Sequence, residues 1–386
     1  MDLLDKLKKN GVPLRDYAGS EPLYGIKTGL NDAFLITRAQ HDQLTASDPE
    51  LDVHIRPYLR GQDIRRWTSP DAELFMILMK SSGDHPWPWA NAANEQEAEA
   101  IFKKTHPALH THFKGFEEFK DSKSKKVRGL RHRDDQGRWW WELRPCAYYH
   151  SFTLPKINIQ RIAFHSRFSI DENAHFVNDS AVILPAFPHV LTGVLNQPIA
   201  WYYQFKKFPH KKDEAVAMDI VALSEFPIPP LGNNESRLVE LVSEVSTLPK
   251  FVSQHVDALQ NWLHFEFGLD TAKNQLTKLL DLDTDSFVVG VKKFLPRSRK
   301  LSSTEITRLV QERATTIEPL RLANSKIFAI ERKLSDLVNE AYGLTPEEVQ
   351  LMWETAPPRM PYTQEGLAPL DENVASDDDS DNEDDD

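Results

Sequence analysis

The chain has 386 residues, 40% of them hydrophobic, enough for one large core or two smaller ones. Its single cysteine, Cys146, excludes an internal disulfide and a cysteine-rich zinc site. The formal net charge of −12 speaks against a polyanionic partner only until its distribution is read.

Ten acidic side chains and no basic one lie in residues 371–386, so residues 1–370 together carry only −2. Between Lys103 and Arg133 there are ten Lys or Arg against Glu117, Glu118 and Asp121, a local charge of +7. Local charge, not the total, sets the potential that a phosphate backbone feels. The N-terminal stretch MDLLDKLKKNGVPLRDY lacks the apolar run of a signal peptide, and no stretch of about 20 apolar residues is present to span a membrane. The expectation is a soluble cytoplasmic protein.

In chain order, PLYGIKTGLNDAFLIT (22–37) reads as strand, turn, strand, with Gly29-Leu30-Asn31-Asp32 as the turn. HIRPYLRGQDIRRW (54–67) follows, and ELFMILM (73–79) has the length and composition of a buried strand. Residues 83–141 hold few apolar residues other than Trp87, Trp89, Trp139, Trp140 and Trp141. One or two helices are expected around 93–119 and a basic loop from Lys120 to Arg133. LPKINIQRIA (154–163) and HFVNDSAVILP (175–185) read as strands. PHVLTGVLNQPIAWYYQFKK (188–207) reads as a helix interrupted near Pro198.

After the proline-rich LSEFPIPPL (223–231) the pattern becomes helical. Ile317, Leu320, Ile327, Leu334 and Leu337 fall near a three-to-four spacing. Thr345 and Pro346 open a last helix with acids in its first turn. The composition of 355–386 predicts disorder.

Three groups of these residues resemble one family. YGIKTGLNDAFLI with RPYLRGQDIRRW is similar to the start of the C-terminal target-recognition (specificity) region of TaqI-like adenine methyltransferases and type IIG restriction–modification enzymes. WWWELRPCAYYHSFTLPKINIQRIA and LTGVLNQPIAWYY resemble its middle. LSEFPIPP and ERKLSDLVNEAYGLTPEEVQLM resemble its close. The resemblance covers roughly residues 20–355 and rests on the order and spacing of the segments rather than on any one of them.

It implies an α+β fold: a leader over 1–20, a mixed-sheet target-recognition domain with inserted helices over 21–231, a helical region over 232–354 and a disordered acidic tail over 355–386. It implies double-stranded DNA as a partner. In the family the methyltransferase domain precedes this region and uses S-adenosylmethionine. The expectation is therefore that this chain carries no cofactor and works with a methyltransferase subunit or domain in trans, the cofactor residing on that partner.

The residues themselves offer no complete catalytic centre. Ile228-Pro229-Pro230-Leu231 and Ala356-Pro357-Pro358-Arg359 lack the polar first residue and the aromatic of an amino-methylating loop. No glycine-rich strand-to-helix turn is present. Glu118-Phe119-Lys120 is half of a magnesium-nuclease pattern, with Asp71 too far upstream to complete it. His106, His110 and His112 suggest a metal, but Pro107 disturbs their helical spacing and no third ligand type accompanies them.

The candidate DNA contacts are basic and polar. Lys114, Lys120, Lys123, Lys125, Lys126, Arg128, Arg131 and Arg133 either line a duplex backbone or form a solvated charged loop. Lys27, Thr28 and Asn31 either face a phosphate or only serve the turn. Arg60, Gln62, Arg65 and Arg66 have the chemistry to read base edges or hold phosphates, and Asp63 offers an internal partner. Lys156 and Arg161 are assigned to the same cleft, with a sheet-edge lysine as the alternative for Lys156. The acidic tail is either a solubilising end or a competitor of DNA for the basic segment. Two alternatives to a recognition module stay open: a split-off end of a longer methyltransferase–nuclease, and a protein-interaction factor of the same fold that no longer binds DNA.

Overall fold

A computed structural model describes residues 2–69, 71–120, 126–269, 279, 282–296 and 298–363. Lys123, Lys125 and the acidic tail lie outside the described residues. The fold is α+β with mixed sheets and a helical C-terminal region. The chain divides into two compact units: residues 11–192 with 207–228, and residues 1–10 with 193–206 and 229–386. No helix among the described residues is long and apolar enough to cross a membrane.

The first unit is built on two mixed sheets. One has five strands in the order Leu23–Tyr24, Ala181–Leu184, Lys156–Gln160, Phe168–Asp171, Trp67–Thr68. All its pairings are antiparallel except the last, in which Ser169 faces Trp67 in parallel. The central strand KINIQ is buried on both faces. Ile157 and Ile159 pack on one, while Lys156 and Asn158 turn the other way, as the two-residue repeat requires. The second sheet has four strands in the order Phe176–Val177, Ile55–Leu59, Leu74–Ile77, Leu35–Thr37, the first pair parallel.

The segment 22–37 is not the hairpin its turn residues predict. Leu23–Tyr24 pairs with Ala181–Leu184, whereas Leu35–Thr37 pairs with Leu74–Ile77 in the other sheet, and Asn31–Phe34 between them is one helical turn. Gly29 does adopt the left-handed φ of 66°. Gly25, however, runs so close to the Asn178 carbonyl that an added Cβ would sit 1.8 Å from its oxygen. That crossing threads the chain into a second sheet instead of folding it back.

Helices Glu95–Thr105 and Pro107–Lys114 break at the His106–Pro107 junction and cover an aromatic core. Trp139, Trp140 and Trp141 are all buried there. They lie in a turn, closed by Glu142 N–H donating to the Trp139 carbonyl at 2.9 Å, so strand alternation does not separate them. The fully buried Glu142 carboxylate accepts from the Trp89 indole at 2.8 Å and from the amides of Ser82 and Arg138 at 3.0 Å.

The second unit is helical. Glu235–Phe267 is one helix running through Pro249. Its buried Leu238, Leu241, Val242 and Val245 follow the amphipathic spacing. Gly193 admits Leu238, whose Cδ2 would lie 2.5 Å from any Cβ there. The helix Pro346–Glu354 has a full capping box, Thr345 with Glu348, and Glu348 also receives Lys6 Nζ at 2.5 Å.

Candidate nucleic-acid interface

One short turn gathers three distant segments of the first unit. Asn178-Asp179-Ser180 connects the two sheets, since Phe176–Val177 belongs to one and Ala181–Leu184 to the other. Gly25 N–H donates to the Ala181 carbonyl at 3.0 Å and Ile26 N–H to Val177 at 2.8 Å. Gly61 N–H donates to Ser180 Oγ at 3.1 Å, and a Cβ at residue 61 would meet that oxygen at 2.7 Å. Arg161 N–H donates to the Ser180 carbonyl at 3.0 Å. The Gly-Ile-Lys-Thr, Arg-Gly-Gln-Asp and Ile-Gln-Arg segments therefore meet at one place, and glycine is required at two of the three contacts.

Around this turn the polar candidates divide into exposed and committed groups. Asn31 and Gln62 are exposed. Lys27 is partly exposed, with its ammonium 3.1 Å from Asp135. Thr28 is buried and its hydroxyl donates to Asn31 Oδ1 at 2.6 Å, so it orients Asn31 rather than facing solvent. Arg60 is exposed but gripped by Asp63 through two bonds of 2.9 Å, which raises its pKa. Arg65 donates to the Gln62 carbonyl. Arg66 lies over the Trp67 ring at 5.0 Å and Arg161 over the Tyr24 ring at 5.0 Å.

The basic segment is less uniformly available than its charge suggests. Lys114 bridges Glu99 and Glu117, each at 2.7 Å, and Arg131 bridges Glu95 and Glu117, also at 2.7 Å. Both cations lie over the Trp140 ring. Glu95 and Glu99 sit on the helix just before the Lys103–Arg133 window, so a count begun at Lys103 misses them. At the surface stand Lys103 and Lys104 on the helix Glu95–Thr105 and a hairpin, Phe119–Lys120 against Val127–Arg128, with Lys120, Lys126 and Arg128 exposed. Gly129, at φ 136°, closes its base where a Cβ would lie 2.4 Å from the Glu117 carbonyl oxygen.

Two basic candidates are buried, as Thr28 is. Arg133 is 6% exposed and donates to five backbone carbonyls, those of Thr28, Leu130, Asp135, Trp140 and Glu142. Loss of water lowers its pKa to about 10. It staples the basic segment to the first motif instead of meeting a phosphate. Lys156 has no exposed surface: its ammonium donates to Asp171 Oδ2 at 2.5 Å and to the Phe152 carbonyl at 2.7 Å. Asp171 also receives Asn158 at 3.2 Å and the His175 ring at 2.9 Å. Burial alone would raise the Asp171 pKa, but the bonds from His175 and the Lys156 charge outweigh it and bring it to about 2. Neither the Asp171 pairing nor the role of the 178–180 turn is signalled by composition. An acid ending the short strand FSID is the one visible hint of the former.

The three histidines at 106, 110 and 112 have separate partners. His106 packs against Trp87 and Trp89, His110 meets Glu99 at 3.1 Å, and His112 meets the Ala33 carbonyl at 2.8 Å. Among the described residues no group of three metal-ligating side chains converges.

Comparison with known proteins adds two findings. Residues 232–338 match the model of a domain of unknown function, DUF8810. The fold is similar to that of the type IIL restriction–modification enzyme MmeI, solved in complex with DNA, at 12% identity and a TM-score of 0.39. That similarity covers 89% of this chain and 35% of the MmeI chain, so the present chain spans about a third of that enzyme. A search of curated proteins finds no match.

Proposed function

We propose that the chain is a DNA sequence-recognition module of a restriction–modification or related phage-defence system, directing an adenine-specific methyltransferase partner. The observation that supports this best is the gathering of the Lys27, Arg60–Gln62 and Arg161 segments on the Asn178–Ser180 turn. These are among the segments that carry the family resemblance, and Arg60 and Gln62, both exposed, flank the Gly61 contact to the turn. Amide and guanidinium groups on a preformed turn have the donor and acceptor geometry that base edges require. The exposed hairpin cations Lys120, Lys126 and Arg128, with Lys123 and Lys125 of the same segment, supply the sequence-independent attraction to phosphates. Catalysis and S-adenosylmethionine binding fall to the partner.

The neutralisation of Lys114 and Arg131 by Glu95, Glu99 and Glu117 favours one competing reading, a protein-interaction factor of the same fold. Purification of the tagged chain from its native host, followed by duplex binding with and without the captured protein, separates the two. The recognition reading requires recovery of a methyltransferase or restriction subunit and DNA retention by the complex. Recovery of unrelated partners with no DNA retention contradicts it.

A further inference from the structure

The first unit carries a second basic element that the family-like segments do not include. In FKKFPHKKDE, Lys207, Lys211 and Lys212 are exposed, and among the described residues no carboxylate lies within ion-pairing distance of any of them. This distinguishes them from Lys114 and Arg131, whose charge is satisfied within the protein.

Lys207 ends the helix Pro198–Lys207, and Lys211 and Lys212 are held in the ribbon that follows it, so none of the three belongs to a loose charged run. Residues 209–211 pair with 215–217: Lys211 N–H donates to the Ala215 carbonyl at 2.8 Å and Ala217 N–H to Pro209 at 2.8 Å. Val216–Ala217 pairs in turn with Ile162–Ala163. Ala215, Val216, Ala217 and Met218 are buried and anchor the ribbon to the core. Asp213 and Glu214 both take left-handed φ, 58° and 63°, and close the ribbon in a tight turn next to Lys212.

The ribbon joins the candidate interface directly. Met218 N–H donates to the Arg161 carbonyl at 2.7 Å, and Arg161 N–H donates to the Ser180 carbonyl on the turn that also receives Gly61. Two backbone hydrogen bonds thus connect the lysine ribbon to the turn that holds Arg60 and Gln62.

We infer that Lys211 and Lys212 on this ribbon, with Lys207 at the helix end before it, contact the phosphates of duplex DNA, flanking the Arg60–Gln62 turn. The inference rests on the recognition-module reading and adds a backbone clamp to it. Lysine suits that role, since its ammonium is a point charge that follows a phosphate without demanding one geometry.

The test compares K207A/K211A/K212A with K120A/K126A/R128A in the full-length chain, binding a labelled random-sequence duplex across a salt series. Circular dichroism checks folding, and K207R/K211R/K212R controls for shape. Each lost phosphate contact should flatten the log affinity against log salt slope by about 0.9. The ribbon variant should flatten it by about 2 to 3, and the arginine variant should restore it. An unchanged slope in the ribbon variant, with a flattened one in the hairpin variant, overturns the ribbon and leaves the recognition reading standing. Absence of salt-dependent binding by the unmodified chain overturns both.

Discussion

Lys156 Nζ lies 2.5 Å from Asp171 Oδ2, with both side chains out of contact with water. The two face each other across neighbouring antiparallel strands, in register. Asn158, His175 and the Asn173 amide complete the set of donors to the same carboxylate. Breaking one partner of such a pair strands the other charge in a low-dielectric interior, which costs about 3–5 kcal/mol, whereas an apolar pair of similar volume is often neutral. Lys156→Met should therefore lower the urea midpoint of unfolding strongly, and Lys156→Met with Asp171→Asn, which removes the stranded charge but keeps an acceptor for Asn158 and His175, should recover part of it. Both variants that remain folded should keep the DNA affinity of the parent. Lost affinity in the folded double variant would restore Lys156 to the interface.

Acid should destabilise the first unit in two windows. His54 is held at about pKa 4, first by burial and then by the nearby His106 and His85, against an ordinary 6.5. The unfolded chain binds the proton more readily, so stability present above about pH 6.5 is lost as pH falls toward 4. Asp171, at about 2 against 3.8, contributes stability that is full above about pH 4 and lost as pH falls toward 2, roughly 2 kcal/mol in all. Lys156, whose pKa burial lowers, affects only the alkaline side. Urea midpoints followed by tryptophan fluorescence from pH 7 to pH 3 should fall in both windows. His54→Gln should shrink the upper one and leave the part owed to His85, His106 and His112, whose pKa values burial also lowers, and a parent chain with flat stability from pH 7 to 4 would refute the assignment.

Arg133 makes a separate prediction because it is a basic residue whose work is internal. Arg133→Ala leaves several buried carbonyls without a donor, at about 1–3 kcal/mol for each that water cannot reach. Thermal unfolding should shift down by many degrees, and Arg133→Lys should rescue little, since one ammonium cannot replace a planar five-donor fork. A fully stable Arg133→Ala chain with weakened DNA binding would reverse the assignment.

Gln62 tests base reading. It is exposed beside a rigid turn, while Arg60 next to it is held by Asp63. Once the preferred duplex is identified by selection from a random pool, Gln62→Ala should reduce preference for that duplex by about 1–3 kcal/mol. Affinity for unrelated duplexes should stay the same. Equal losses on both would make Gln62 a backbone contact.

The legible parts of the fold are those set by local pattern. The β-branched runs at 154–163 and 175–185 become strands, Pro107 and Pro198 mark helix breaks, and Thr345-Pro346 starts the last helix. The turn chemistry of 22–37 is local and points to a hairpin, whereas its pairing is decided by a long-range crossing at Gly25 and Asn178. Charge was partly misleading for a similar reason. Lys114, Arg131, Arg133 and Lys156 resemble the exposed cations in sequence, and only their tertiary partners separate them. The hairpin and the 209–217 ribbon pair locally, whereas the Asn178–Ser180 hub is the product of contacts between distant residues, which composition does not encode.

The central claim, that this chain reads duplex DNA, is tested most directly by fluorescence anisotropy of a labelled duplex over a salt series. The cations Lys120, Lys123, Lys125, Lys126 and Arg128 together contribute about −4.5 to the log–log slope, and K120A/K126A/R128A should flatten the parent's slope by about 2.7. Salt-insensitive binding, or identical slopes for the parent and the variant, would contradict the account.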